Sequence, residues 1–167
     1  MKLQESMREL LHKELQHGEV AAISTLLSGE IAAVDNYNFA MQHIRDIDLI
    51  PTLETCRNSH AVRVQFLQNR LHELNAKHVK TAGMWGSLTR FIENCACLLG
   101  DKVALSVLAA GEDFGYDQYN NHLSSLDVDT KEMVESELLP MQARTLETMR
   151  MLCAFLSDSK EARYSHS

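Results

Sequence analysis

The chain contains one short motif twice, in which a Gly-Glu pair is followed by a Tyr seven residues after the Glu. The two copies are residues 28–37, SGEIAAVDNY, and residues 110–119, AGEDFGYDQY. Seven residues make about two turns of an α-helix, so each Glu lies on the same helix face as its Tyr. Apolar residues continue both faces in steps of three and four, as in helices that pack into a core. The motif therefore predicts two helices that each bury a carboxylate, and a buried charge needs a partner.

The rest of the composition agrees with a helical globular protein. The chain has 167 residues, which suits one domain, and 45% of them are hydrophobic. Only two residues are Pro and seven are Gly. This composition argues against a disordered chain and favours long helices.

Charge and hydropathy restrict the classes of molecule that the protein is expected to bind. The formal net charge is −7, and the Lys and Arg residues form no cluster. We therefore expect neither nucleic acid nor membrane as a partner, whereas a homodimer stays open. No uncharged apolar run is as long as a membrane span, and the first residues lack the apolar stretch of a signal peptide. These features predict a cytoplasmic protein.

Hydrophobic spacing divides the chain into an N-terminal helix, a bundle and a polar tail, over residues 1–18, 19–157 and 158–167. The pattern predicts that the first helix ends at Gly18. The predicted bundle helices cover residues 19–44, 49–75, 102–123 and 130–156, and a shorter helix is predicted over 85–99. Two hairpins joined by a long connection make an all-α four-helix bundle.

Equal distances from the hairpin turns bring polar residues to one height in this bundle. Glu30 and His60 are equidistant from residue 45, which lies beside the first predicted turn. Glu112 is related in the same way to Gln142 and Thr145 across the turn at residues 124–129. We therefore expect Glu30, His60 and Glu112 in one interior layer. Five further side chains are expected around them: Arg57, Gln142, Thr145 and the two motif tyrosines, Tyr37 and Tyr119.

At these residues the chain resembles the ferritin-like superfamily, and most closely a bacterial ferritin-like family whose function is uncharacterised. The resemblance covers about residues 20–156 and is carried by six stretches: SGE-x6-Y, SHAVR, GMWGSL, LLGDKVAL, AGEDFGYDQY and LLPMQART. The superfamily includes iron-storage proteins, peroxidases and di-metal oxidases. The resemblance thus implies a four-helix bundle and a carboxylate-bridged metal site.

The superfamily's motif for two metals has one Glu on each of two helices and Glu-x-x-His on each of the other two. Here Arg57-x-x-His60 and Gln142-x-x-Thr145 stand at the second kind of position. One hypothesis keeps Glu30, His60 and Glu112 as ligands of one iron or manganese ion, in a metal-binding protein or a metal-dependent oxidoreductase.

The other hypothesis has no metal. In it Arg57 pairs with one of the glutamates, and Tyr37 and Tyr119 donate hydrogen bonds to the carboxylates. The protein would then be a structural or binding bundle, for instance a stress-associated one, with a degenerate di-metal site. We favour this second hypothesis on the sequence, because both Glu-x-x-His motifs are altered.

Overall fold

The computed structural model describes residues 2–78 and 100–164, which form an all-α four-helix bundle of the ferritin-like type, as predicted. No strand occurs in these residues. The helices are α1 (Lys2–His43), α2 (Ile50–Glu73), α3 (Asp101–His122), α4 (Val128–Met133) and α5 (Leu139–Tyr164). A π-helical turn, Val134–Leu138, joins α4 to α5, so these three segments form the fourth arm of the bundle.

The bundle interior has a polar layer between two apolar clusters. One cluster lies toward the end where α1 connects to α2 and includes Leu49, Leu53 and Met149. The other lies toward the opposite end and includes Leu67 and Leu138. Side chains from all four arms contribute to these clusters, and their burial supplies the main driving force for assembling the bundle.

Helix α1 is longer than predicted. It runs without interruption from Lys2 to His43, so the prediction that a first helix ends at Gly18 is wrong. A glycine usually ends a helix by adopting a positive φ, and among the described glycines only Gly100 does so. Gly18 lies in open space, with nothing near the position of an added Cβ atom.

The N-terminal part of α1 leaves the body of the bundle, and its apolar side chains are exposed. Met7, Leu10, Leu11 and Leu15 are more than half exposed. The first buried side chain is Glu19, and the packed part of α1 begins there. Within the described residues, none of the helices combines the length and the apolar character that crossing a membrane requires.

The fourth arm differs from the predicted single helix over residues 130–156. It begins at Val128, where the Asp127 side chain accepts a hydrogen bond from the Thr130 backbone, and its helical backbone continues to Tyr164. Pro140 lies inside this arm, and a proline within a helix removes a backbone donor and favours a kink. A π-helical turn ends two residues before Pro140, and such a wider turn accommodates the backbone next to a residue that has no N–H.

Two predictions cannot be compared with the structure. The predicted loop at residues 76–84 lies mostly outside the described residues, and the predicted short helix at 85–99 lies entirely outside them.

Candidate functional site

The polar layer is built from six buried residues on the four arms of the bundle. Glu30 comes from α1, Glu112 from α3, and the others form two pairs spaced by three residues. These pairs are His60 with Arg63 on α2, and Gln142 with Thr145 on α5. A spacing of three places both members of a pair on the same side of their helix. Glu30, His60 and Glu112 thus lie in one layer, as their distances from the turns suggested.

The two motif tyrosines bond crosswise. The Tyr37 hydroxyl on α1 donates to Glu112 Oε1 on α3 at 2.6 Å. The Tyr119 hydroxyl on α3 donates to Glu30 Oε1 on α1 at 2.7 Å. Each copy of the motif therefore supplies a donor to the carboxylate of the other copy, and the two bonds tie α1 to α3.

His60 lies between the two carboxylates. Its Nδ1 is 2.7 Å from Glu30 Oε2, and its Nε2 is 2.8 Å from Glu112 Oε1. An imidazole that carries protons on both nitrogens donates to both carboxylates. Arg63 Nη2 is also 2.6 Å from His60 Nδ1. An Nδ1–H that donates to Glu30 cannot also accept a hydrogen bond from arginine. We therefore assign the Nδ1 proton to the bond with Glu30.

Arg63, and not Arg57, is the buried arginine of this layer. The Arg63 side chain is fully buried, with its Nε 2.8 Å from Glu30 Oε1 and its Nη2 2.7 Å from Gln142 Oε1. Its Nη1 donates to Ser59 Oγ at 2.9 Å. The prediction that Arg57 pairs with a glutamate is wrong. Arg57 is half-buried, and its Nε has no hydrogen-bond partner among the described residues.

Gln142 and Thr145 donate hydrogen bonds to Glu112, and His60 and Arg63 do the same for Glu30. The Gln142 amide nitrogen and the Thr145 hydroxyl each donate to Glu112 Oε2 at 2.8 Å. Each glutamate therefore receives bonds from an i, i+3 pair on the neighbouring arm. By this pairing, the residues that correspond to Glu-x-x-His on α2 are His60 and Arg63, one helical turn later than the sequence suggested.

The network balances its charges. Burial would raise the pKa of Glu30, but Arg63 and His60 outweigh it and lower that pKa to about 2. Burial likewise opposes the shift at Glu112, whose pKa is lowered chiefly by its hydrogen bond with His60. The pKa of His60 is raised, because Glu30 and Glu112 outweigh the effect of burial. Two carboxylates thus face the Arg63 guanidinium and an imidazole whose pKa is raised.

The tyrosines stay neutral donors in this layer. Burial, and then the charge of the facing carboxylate, raises the pKa of both Tyr37 and Tyr119 well above the usual range. Cys56 lies near the Tyr37–Glu112 pair, and burial raises the pKa of its thiol to about 11. These groups are therefore poorly placed to act as anionic nucleophiles or metal ligands.

The layer does not have the form of a two-metal site. Glu112 accepts from four side-chain donors and Glu30 from three, so a metal would have to displace these bonds. Both His60 nitrogens face carboxylates and do not converge with them on a common point. Among residues 2–78 and 100–164, no three His, Cys, Asp or Glu side chains are grouped to hold a metal ion.

Comparison with known proteins gives a family. A family model described as "Ubiquinone biosynthesis protein COQ7" matches residues 21–165. The match favours the metal-dependent hypothesis over the non-catalytic one, because the family is one of ferritin-like di-iron proteins. No curated protein and no solved structure matches the chain.

Proposed function

The chain belongs to the COQ7 family of ubiquinone biosynthesis proteins, and we propose that in this member a charge-balanced network takes the place of the di-iron centre. The protein would then contribute by binding or by structural support, without activating oxygen. The observation that carries the proposal is the position of Arg63. Its fully buried guanidinium contacts Glu30, His60 and Gln142, which lie where ligands would be needed.

Electrostatics supports this proposal. A divalent cation beside Arg63 and a protonated His60 would add charge to a layer whose two carboxylates are already compensated. Bound metal would require His60 to lose a proton and the guanidinium to leave a site where several donors and acceptors are matched. A di-iron site also uses carboxylate and imidazole ligands from four helices, and α5 offers an amide and a hydroxyl.

A second candidate is favoured by the family match. In it the protein is a metal-dependent oxidoreductase, and Glu30, His60 and Glu112 rearrange around an iron or manganese ion. The three side chains have suitable chemistry for either metal. This candidate requires Arg63 to be displaced, so it predicts that removing the guanidinium increases metal binding.

Elemental analysis distinguishes the two candidates. The protein is expressed in medium supplemented with iron and manganese, and purified without chelators. We expect substoichiometric metal in the native protein. Arg63→Gln tests the role of the guanidinium, and Arg57→Gln is its matched control on the same helix. Two tightly bound iron ions per native chain, with oxidation of added ferrous iron, would overturn the proposed function.

A further inference from the structure

A small cavity lies between α1 and α3, beside the polar layer. Its volume is about 30 Å³. Glu30, Glu112 and His60 line one part of it, and Leu26 and Leu108 contribute apolar surface. Tyr37, Tyr119 and Gln142 of the polar layer also line it, so the cavity adjoins the site described above.

Asn36 supplies an unmatched acceptor to this cavity. Its side chain lines the cavity and only 4% of the residue is exposed. The Oδ1 atom is buried and has no hydrogen-bond partner among the described residues. A buried acceptor without a donor destabilises the folded protein, and buried polar atoms in proteins are nearly always matched. A molecule in the cavity that carries a donor would match it.

The repeated motif contains the residues that form this cavity. Read in full, each copy is Gly-Glu-x2-small-x2-carboxamide-Tyr, with Ala33 and Asn36 in the first copy and Gly115 and Gln118 in the second. All four of these residues line the cavity. Gly115 also lets the Gln142 side chain approach α3 closely, because a Cβ at residue 115 would lie 3.0 Å from Gln142 Nε2. Both copies of the sequence pattern thus contribute to the cavity wall.

From these observations we infer that the cavity is a hydration site, occupied by at least one water molecule that donates to Asn36 Oδ1. A cavity needs at least about 10–15 Å³ to hold one water, and the volume here, about 30 Å³, exceeds that minimum. The carboxylates that adjoin the cavity already accept hydrogen bonds from His60 and Arg63, so Asn36 Oδ1 is the acceptor left to be matched. An apolar gas such as dioxygen has no proton to donate to Asn36. This inference goes beyond the proposed function and concerns what the cavity holds when no metal is present.

Two measurements on the native protein test the inference. The protein is first shown to be metal-free by elemental analysis, which separates this question from that of metal binding. Rotating-frame NMR spectra of ¹⁵N-labelled protein should then show through-space contacts from water to the Asn36 side-chain amide. Xenon under pressure should leave the methyl resonances of Leu26 and Leu108 unshifted, since xenon enters dry apolar cavities. Absent water contacts, or saturable xenon shifts at these methyl groups, would overturn the inference.

A matched pair of variants locates the water. Ala33→Val adds two methyl groups at the cavity wall and should abolish the water contact to Asn36. Ala21→Val makes the same change at an exposed position of α1 and should leave the contact intact. A contact that survives Ala33→Val in a folded protein would place the water elsewhere and contradict the inference.

Discussion

Arg63 is the residue whose loss should destabilise the protein most. Arg63→Met removes one of the three hydrogen-bond donors of Glu30 and leaves Gln142 Oε1 without a donor. Breaking a buried ion pair from one side costs about 3–5 kcal/mol, and we expect a loss of that size in the free energy of unfolding. Chemical denaturation measures it. Arg57→Met is the control and should change stability by less than about 1 kcal/mol. Similar losses in both variants would contradict the assignment of Arg63.

The free energy of unfolding should fall both at acidic pH, through Glu30, and at alkaline pH, through His60. The pKa of Glu30 is about 2 in the folded protein, below its ordinary value near 4.3. Its contribution is therefore present above about pH 4 and lost as the pH falls toward 2. The pKa of His60 is raised, so its contribution is complete below its unfolded pKa of about 6.5 and lost as the pH rises through the folded value.

Melting temperatures across the pH range check this expectation. His60→Gln should flatten the alkaline decline. His122→Gln is the control, because burial lowers the pKa of His122 and its contribution therefore acts in the opposite sense. A native melting temperature that stays constant above pH 6.5 would show that His60 is neutral in the folded protein.

Sequence spacing placed His60 correctly but could not identify the arginine beside it. From His60, a step of four leads to the apolar Val64, and a step of three leads to Arg63. Both steps keep to one helix face, and the preference for apolar residues in a core favours Val64. The internal repeat could have identified Arg63. Residues 60 and 63 have the same i, i+3 spacing as residues 142 and 145 on the corresponding helix of the other hairpin. Asn36 and Gln118 were equally visible as matched positions of the repeated motif.

At the scale of the helices, α1 shows how a glycine can be misinterpreted. A glycine at the end of an apolar periodicity often marks a helix end, but the stop also requires the chain to turn there. The apolar face of α1 instead continues on both sides of Gly18, through Leu15 and Ala22. The sequence predicted the number of bundle arms and their packed faces well. Their ends depend on local backbone geometry, which spacing alone does not determine.

The continuity of α1 gives a direct prediction. Gly18 is exposed and lies inside the helix with open space around it. Gly18→Ala should therefore stabilise the helix by about 0.5–1 kcal/mol, since alanine loses less backbone entropy on folding. Gly100→Ala is the contrasting variant and should destabilise the protein, because Gly100 has a φ of 83°. A loss of stability in Gly18→Ala would mean that the chain turns at this residue.

At the scale of the whole molecule, two apolar clusters enclose a polar layer in which two carboxylates contact His60 and Arg63. In a ferritin-like di-iron bundle, four glutamates and two histidines surround two metal ions. With divalent ions, four negative charges face four positive ones. Here two carboxylates face the charges of His60 and Arg63. When His60 is protonated both arrangements are neutral, so one can replace the other without leaving an unpaired charge in the core.

This equivalence predicts how metal binding could be installed. The substitutions His60→Glu, Arg63→His, Gln142→Glu and Thr145→His together place Glu-x-x-His on both α2 and α5, facing Glu30 and Glu112. We expect the native protein to bind at most one divalent ion per chain, weakly, and to show negligible oxidation of ferrous iron. The fourfold variant should bind two cobalt ions per chain, measured by titration of the visible absorption of cobalt, and should be stabilised by them.

The variant with only the two α2 substitutions is the control and should bind no more than one cobalt ion, because its α5 ligands remain an amide and a hydroxyl. A native protein that binds two ions as tightly as the fourfold variant would show that Arg63 does not occupy the metal position.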